Sequence, residues 1–283
     1  VAGSAAAFYF FFLDLPPMKS KAKEAIQHLP RATYEVAPDL GGHLSYLHAG
    51  DPDGRRIIFV HGTPGDAEDF GEYLLNVPAG YEYIAVDRPG FGESGPEGPV
   101  ASLAKQAAAL EPLLVQRHGQ WPVLVGHSLG GPIVVQTATD YAGKVGGLVI
   151  LAGALDPAQE HIQMLQRIGE WPLVRPLLPR PIRNANEELI PLKGQLQDLE
   201  TKLNTLMCPI VIVHGTKDRL VPYANVAFME DHFRGNHFIR VVTIPDQDHF
   251  LPWTNAADVR KAIASVVGMS GEATAIESRG AAR

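Results

Sequence analysis

The chain of 283 residues is 46% apolar, enough to fill the core of one large domain or of one domain with an insertion. Its formal net charge of −7 offers no basic face to a phosphate backbone, which argues against nucleic-acid binding. One cysteine, Cys208, rules out an intramolecular disulfide, and the 11 histidines lack the paired spacing that holds zinc, so neither a metal nor a cofactor is expected.

Residues 1–31 read as an N-terminal arm. Ala5 to Leu13 (AAAFYFFFL) is intensely apolar, yet it is less than half the length of a membrane span. Three readings stand: the end of an anchor flanked by Lys19, Lys21 and Lys23, giving membrane association, an amphipathic or apolar arm packed on the body, or leader sequence upstream of a start at Met18. From Ala32 strand-like runs begin. Residues 32–36 and 43–48, separated by the turn-forming Pro38-Asp39-Leu40-Gly41-Gly42, predict an opening hairpin. Arg56 to Val60 is a continuous apolar run of the kind buried on both faces, and it ends in His61-Gly62-Thr63-Pro64-Gly65. A short helix over 66–76 and a strand over 83–86 follow, then a second glycine-rich loop, Asp87 to Ser94. Residues 100–118 are helical in composition, with Pro112 expected to kink or end a first segment. Val123 to Val125 is the next strand, breaking into Gly126-His127-Ser128-Leu129-Gly130 and a helix to Tyr141, and 145–151 is strand again. Strands alternating with helices at this spacing predict an α/β fold, a mostly parallel sheet with helices on both faces.

The alternation stops at Asp156. Residues 156–205 carry six prolines (157, 172, 176, 179, 181 and 191) and read as a small helical cap inserted after the sixth strand of a core formed by 32–155 and 206–268. Leu192, Leu196, Leu199, Leu203 and Leu206 recur at steps of three and four, a stripe expected to pack on the core rather than to line a substrate site along its length. The core resumes with the apolar run 210–213 and His214-Gly215-Thr216-Lys217-Asp218-Arg219-Leu220-Val221-Pro222, then a last strand over 239–244 that ends in Pro245 to Trp253. A helix over 255–267 closes the domain, and 269–283 reads as a flexible tail.

The chemistry centres on Ser128. A serine hydroxyl is a poor nucleophile near neutral pH, so it needs a base, an exposed perch, and donors for the developing oxyanion. Glycines at 126 and 130 permit the sharp strand-to-helix turn that supplies the perch. With 28 glycines in the chain, G-x-S-x-G alone would arise by chance in roughly one such sequence in ten, so its neighbours carry the weight. Five segments stand in order: HGTPG after the third strand, DRPGFGES after the fourth, GHSLGG after the fifth, HGTKDRLVP after the seventh and DQDHF after the eighth. Together they resemble the α/β-hydrolase superfamily over residues 32–267.

That resemblance implies Ser128 as nucleophile, His249 as general base and Asp218 as the acid that orients it, with the backbone N–H groups of Thr63 and Leu129 as oxyanion donors. Asp156 is the rival acid, and Asp246 or Asp248 is also close enough in sequence to reach the histidine. His61 and Asp87 are expected to organise their loops. His127, Trp253, Ile162, Leu165 and Leu177 are the substrate-binding candidates, and the apolar character of 162–178 favours a small-molecule ester with an apolar acyl or alcohol part. The activity implied is carboxylesterase- or lipase-like. Alternatives within catalysis are a C–C bond hydrolase or a proline-iminopeptidase-like enzyme, the latter using Glu187 and Glu188 to hold the substrate amine; a ligand-sensing protein on the same fold is the alternative outside it.

Overall fold

A computed structural model describes residues 20–162 and 164–281, with side chains described over 24–162 and 166–271. The N-terminal apolar run Ala5 to Leu13 and Lys19 lie outside the described residues.

Eight strands form one sheet: β1 (Arg31–Glu35), β2 (His43–Gly50), β3 (Arg55–Val60), β4 (Tyr81–Val86), β5 (Val123–His127), β6 (Gly147–Leu151), β7 (Ile210–Gly215) and β8 (Ile239–Ile244). Their spatial order is β1-β2-β4-β3-β5-β6-β7-β8. The opening hairpin is antiparallel, with Ala32 opposite Tyr46, and β2 is antiparallel to β4; every pairing from β4 to β8 is parallel. The apolar runs have a simple cause. In the central strands successive side chains point to opposite faces, and each face has its own core. Ile58 and Val60, Leu124, Leu148 and Ile150, and Ile210 and Ile212 face one core. Ile57 and Phe59, Val123 and Val125, Val149 and Leu151, and Val211 and Val213 face the other.

The helices are α1 (Ser20–Gln27), α2 (Gly71–Leu74), α3 (Leu103–Leu110), α4 (Gly130–Asp140), α5 (Met164–Gly169), α6 (Arg180–Leu189), α7 (Leu192–Glu200), α8 (Ala224–His232), α9 (Leu251–Thr254) and α10 (Ala256–Ala281). Pro112 ends α3 by starting a 3-10 turn over Glu111–Leu113. Between β6 and β7 the chain carries α5, α6 and α7. The leucine stripe on and after α7 is at most 3% exposed and packs into the first core, so it is a packing surface.

One boundary differs from the expectation. Residues 269–283 read as a flexible tail, but α10 continues through Gly268 and Gly271 to Ala281. The segment lacks proline and is rich in alanine, so its glycines weaken the helix without ending it. Among the described residues no helix is long and apolar enough to cross a membrane.

Candidate active site

The parallel strands bring their following loops to one sheet edge, where ligands of open α/β sheets bind. Ser128 stands at the end of β5 with φ 55°, a left-handed conformation that a serine adopts only under strain. The turn is affordable because its flanks lack side chains. A Cβ on Gly126 would lie 2.3 Å from the Gly130 carbonyl oxygen, and one on Gly130 would lie 2.2 Å from the Val60 oxygen. The Ser128 N–H donates to the Leu151 carbonyl of the neighbouring strand at 3.0 Å, and the Ser128 carbonyl accepts from Gly131, which fixes the perch on both sides. Leu129 follows as the cap residue of α4, with αR backbone angles.

His249 and Asp218 meet beyond β8 and β7. The His249 Nδ1–H donates to Asp218 Oδ2 at 2.7 Å, both residues being buried. Asp218 Oδ1 accepts from the backbone N–H groups of Leu220 and Val221 at 2.9 and 2.8 Å. Burial pushes the Asp218 carboxyl up, but hydrogen bonds from His214 and His249 and the charge of His249 outweigh it and hold the group well below the usual carboxylate range. His214, fully buried, donates from Nε2 to the Val221 carbonyl at 2.9 Å and passes 3.5 Å from Asp218 Oδ2.

The other three acids are engaged elsewhere. Asp156 accepts from the Ala158 N–H and from Gln159 Nε2, closing its own turn. Asp246 pairs with Lys217 at 2.8 Å on the surface, and Asp248 accepts from the Phe250 N–H at 3.0 Å, shaping the turn that carries His249.

His127 ties this loop to the serine turn. Its Nε2–H donates to the His249 carbonyl at 3.0 Å, and its ring lies 4.7 Å from the His249 ring at a 43° tilt and meets Trp253 edge-on at 5.4 Å. Burial, with His249 beside it, lowers the His127 imidazole to about 3, so it stays neutral. His127 is therefore engaged with the histidine loop. Trp253 is half-buried against Phe250. Of the candidates between β6 and β7, Ile162 is 39% and Leu177 81% exposed, and Leu165 lies in α5 with its side chain outside the described residues.

The loop after β3 lies against the serine turn: a Cβ on Gly62 would sit 3.0 Å from Ser128 Cβ. Its peptide is held from behind. The Arg88 N–H donates to His61 Nε2 at 3.0 Å, so the proton of the neutral His61 ring is on Nδ1, which donates to the Gly62 carbonyl at 2.7 Å. Burial, together with Arg88, pushes the His61 imidazole well down, keeping it in that form. Arg88 Nη2 donates to the same carbonyl at 2.8 Å. Asp87 organises the adjacent loops by accepting from the Ala67 and Glu93 N–H groups and from Arg31.

Sequence reading passed over Arg88 and gave Glu188 a different place. The Glu188 carboxylate on α6 pairs with Arg88 at 2.8 Å, both side chains at most 2% exposed, and also accepts from Gln106 Nε2 and Thr63 Oγ1, each at 2.8 Å. Glu187 pairs with Arg175 at 2.6 Å. One sequence signal was present: an arginine in a loop destined for burial requires a counter-charge. Nothing in the spacing says that the counter-charge stands 100 residues away. Among the described residues no group of three or more His, Cys, Asp or Glu side chains is arranged to hold a metal ion.

The chain is similar to known proteins in sequence and in fold. The chain is 26% identical over 242 residues to the 2-hydroxy-6-oxononadienedioate/2-hydroxy-6-oxononatrienedioate hydrolase of Paraburkholderia phymatum, covering 70% of this chain and 84% of that protein. It is 28% identical over 127 residues to the dihydrolipoyllysine-residue acetyltransferase component of the acetoin cleaving system of Cupriavidus necator, a match spanning 45% of this chain and 34% of that protein. The crystal structure of Paleococcus ferrophilus monoacylglycerol lipase superposes with a TM-score of 0.63 at 18% identity, over 79% of this chain and 98% of that one, a likeness of fold. Residues 57–262 match the profile of the alpha/beta hydrolase family, and the chain belongs to that family.

Proposed function

We propose that this hydrolase is a serine esterase acting on small carboxylic esters with an apolar acyl or alcohol part. The observation that carries the reading is the 2.7 Å hydrogen bond from His249 Nδ1 to Asp218, which leaves Nε2 of the neutral ring as a base on a loop tied to the serine turn. In this mechanism Nε2 takes the Ser128 proton as Oγ attacks the ester carbonyl. The N–H groups of Thr63 and Leu129 receive the oxyanion, the imidazolium protonates the departing alcohol, and water then hydrolyses the acyl-enzyme by the same route. The apolar preference follows from Trp171, Leu173 and Leu177 between β6 and β7, which are 59%, 86% and 81% exposed. An apolar surface of that kind suits a hydrophobic substrate or a lipid surface.

A C–C bond hydrolase is the second reading, favoured by the Paraburkholderia relative. The substrates in that relative's name are dicarboxylates, which need cations to hold them. Here Arg88 is paired with Glu188 and Arg175 with Glu187, and Arg180 donates to the carbonyls of Gly92, Ser94 and Pro96. These engagements favour the ester. The ion pairs of Glu187 and Glu188 likewise leave the iminopeptidase reading without its amine-holding acids.

A panel of nitrophenyl esters of increasing acyl length, run beside prolyl arylamide and Ser128→Ala, tests the proposal. Repeated ester turnover lost in Ser128→Ala is the expected outcome. A single turnover followed by a stable complex would point to a ligand sensor, and arylamide cleavage with inert esters would overturn the reading.

A further inference from the structure

We propose that Glu188 is a positioning residue for the oxyanion site, an inference that rests on the serine-hydrolase reading above. Gly62 C=O and Thr63 N–H belong to one peptide unit, and in a trans peptide these two groups point in opposite directions. Fixing the carbonyl therefore aims the N–H. The carbonyl accepts from Arg88 Nη2 at 2.8 Å and from His61 Nδ1 at 2.7 Å. Arg88 is in turn locked by Glu188, which receives Nη1 at 2.8 Å and Nη2 at 3.1 Å. The same carboxylate accepts from Thr63 Oγ1 at 2.8 Å, so it grips the far side of the peptide as well. Gln106 Nε2 supplies a further donor to Glu188 Oε1, and the Arg88 guanidinium lies 4.7 Å from the Phe91 ring centre. Glu188 belongs to α6, which is further anchored on the loop after β4 by Asn184 Nδ2 donating to the Gly90 carbonyl at 2.7 Å. The helix inserted between β6 and β7 thereby sets the direction of a donor at the end of β3.

The test uses Thr63→Val, which keeps the shape and the backbone N–H but deletes the hydroxyl that Glu188 holds, with Thr63→Ser as the conservative rescue and Glu188→Gln as the stronger lesion. Ester kinetics are normalised by fluorophosphonate titration of Ser128, so that loss of folded enzyme is not counted as loss of rate. A trifluoromethyl ketone, whose adduct carries an oxyanion, is titrated alongside. In Thr63→Val, kcat is expected to fall about 10-fold, less than for outright loss of a donor, and ketone affinity to fall by the same factor with KM little changed. Thr63→Ser should restore both. If Glu188→Gln fails to fold, Thr63→Val carries the test alone. Wild-type kcat and ketone affinity in Thr63→Val would overturn the proposal while leaving the esterase reading intact, and so would a raised KM at unchanged kcat, which would mean that the hydroxyl touches substrate. A wild-type protein inert to both esters and fluorophosphonate overturns the esterase reading, and the positioning role with it.

Discussion

Replacing Asp218 by asparagine changes one atom, and the structure dictates which way the new amide must face. Oδ1 accepts two backbone N–H groups, from Leu220 and Val221, so the amide oxygen stays there and the NH₂ turns toward His249. That NH₂ would then sit where Oδ2 now receives Nδ1–H at 2.7 Å, and two donors cannot face each other. His249 resolves the clash by moving its proton to Nε2, which removes the lone pair that takes the Ser128 proton in the proposed mechanism. Turning the amide over restores the tautomer but leaves the two backbone donors facing an NH₂, at about 1–3 kcal/mol for each lost partner. Either way the imidazolium of the transition state loses its charged partner. A barrier increase of about 5 kcal/mol, or about 10⁴ in kcat, is expected, with KM little changed. Steady-state hydrolysis of nitrophenyl butyrate, normalised to folded protein by near-UV circular dichroism, measures it. A variant within about tenfold of wild type would refute this reasoning, as would an Asp156→Asn variant crippled in its place.

Other expectations test the supports of the site. His127 has a depressed folded value, so its contribution to stability is complete above its unfolded value of 6.5 and is lost as pH falls from there toward about 3. His127→Gln keeps a donor for the His249 carbonyl but cannot titrate, so urea midpoints measured from pH 7.5 to 4.5 should fall less steeply than in wild type; parallel curves would contradict the assignment. Leu199→Ala, at a site 1% exposed, should cost about 2–5 kcal/mol in urea unfolding while leaving turnover per folded molecule unchanged. The double change Arg88→Met/Glu188→Leu removes a buried ion pair as a unit, so stability should hold or rise by about 1–4 kcal/mol while kcat falls. A variant that unfolds would mean that the pair is chiefly a stability device.

What could be read in the chain before folding depended on whether the physical constraint was local. The serine turn was legible because a strand and a helix closing around Gly126 and Gly130 tolerate no side chain, a demand written in adjacent letters. The central strands were legible because both sheet faces are covered, which turns alternation into unbroken apolar runs such as 210–213. The carboxylate that partners His249 was only half legible. Asp156, Asp218, Asp246 and Asp248 are alike in sequence, and they separate once each carboxylate's donors are known: a local turn for Asp156 and Asp248, a lysine for Asp246, a histidine ring for Asp218. The end of α10 was misjudged because Gly268 and Gly271 weigh against a helix individually, whereas the alanines around them act over the whole segment.

The two buried charge systems at the sheet edge also explain why the site's polar groups divide as they do. Asp218 is held ionised by three hydrogen-bond donors, the backbone N–H groups of Leu220 and Val221 on one oxygen and the His249 ring on the other, so its second oxygen is directed at that ring. Glu188 is held by Arg88, Gln106 and Thr63, three groups drawn from separate loops and a helix, so its charge is used to lock distant segments together. A buried ion pair gains little net stability over apolar residues of similar volume, because desolvating both charges cancels most of their attraction. Hydrophobic packing would have joined the α6 helix to the loop after β3 without that cost, yet an apolar contact has no direction and cannot orient a peptide plane. Directional hydrogen bonds can, and an acid that accepts from Thr63 while clamping the arginine on the preceding carbonyl orients that plane from both ends. On the positioning role proposed for Glu188, its placement answers the need to aim a single N–H toward the chemistry proposed at Ser128, met by a helix that sequence order puts far from it.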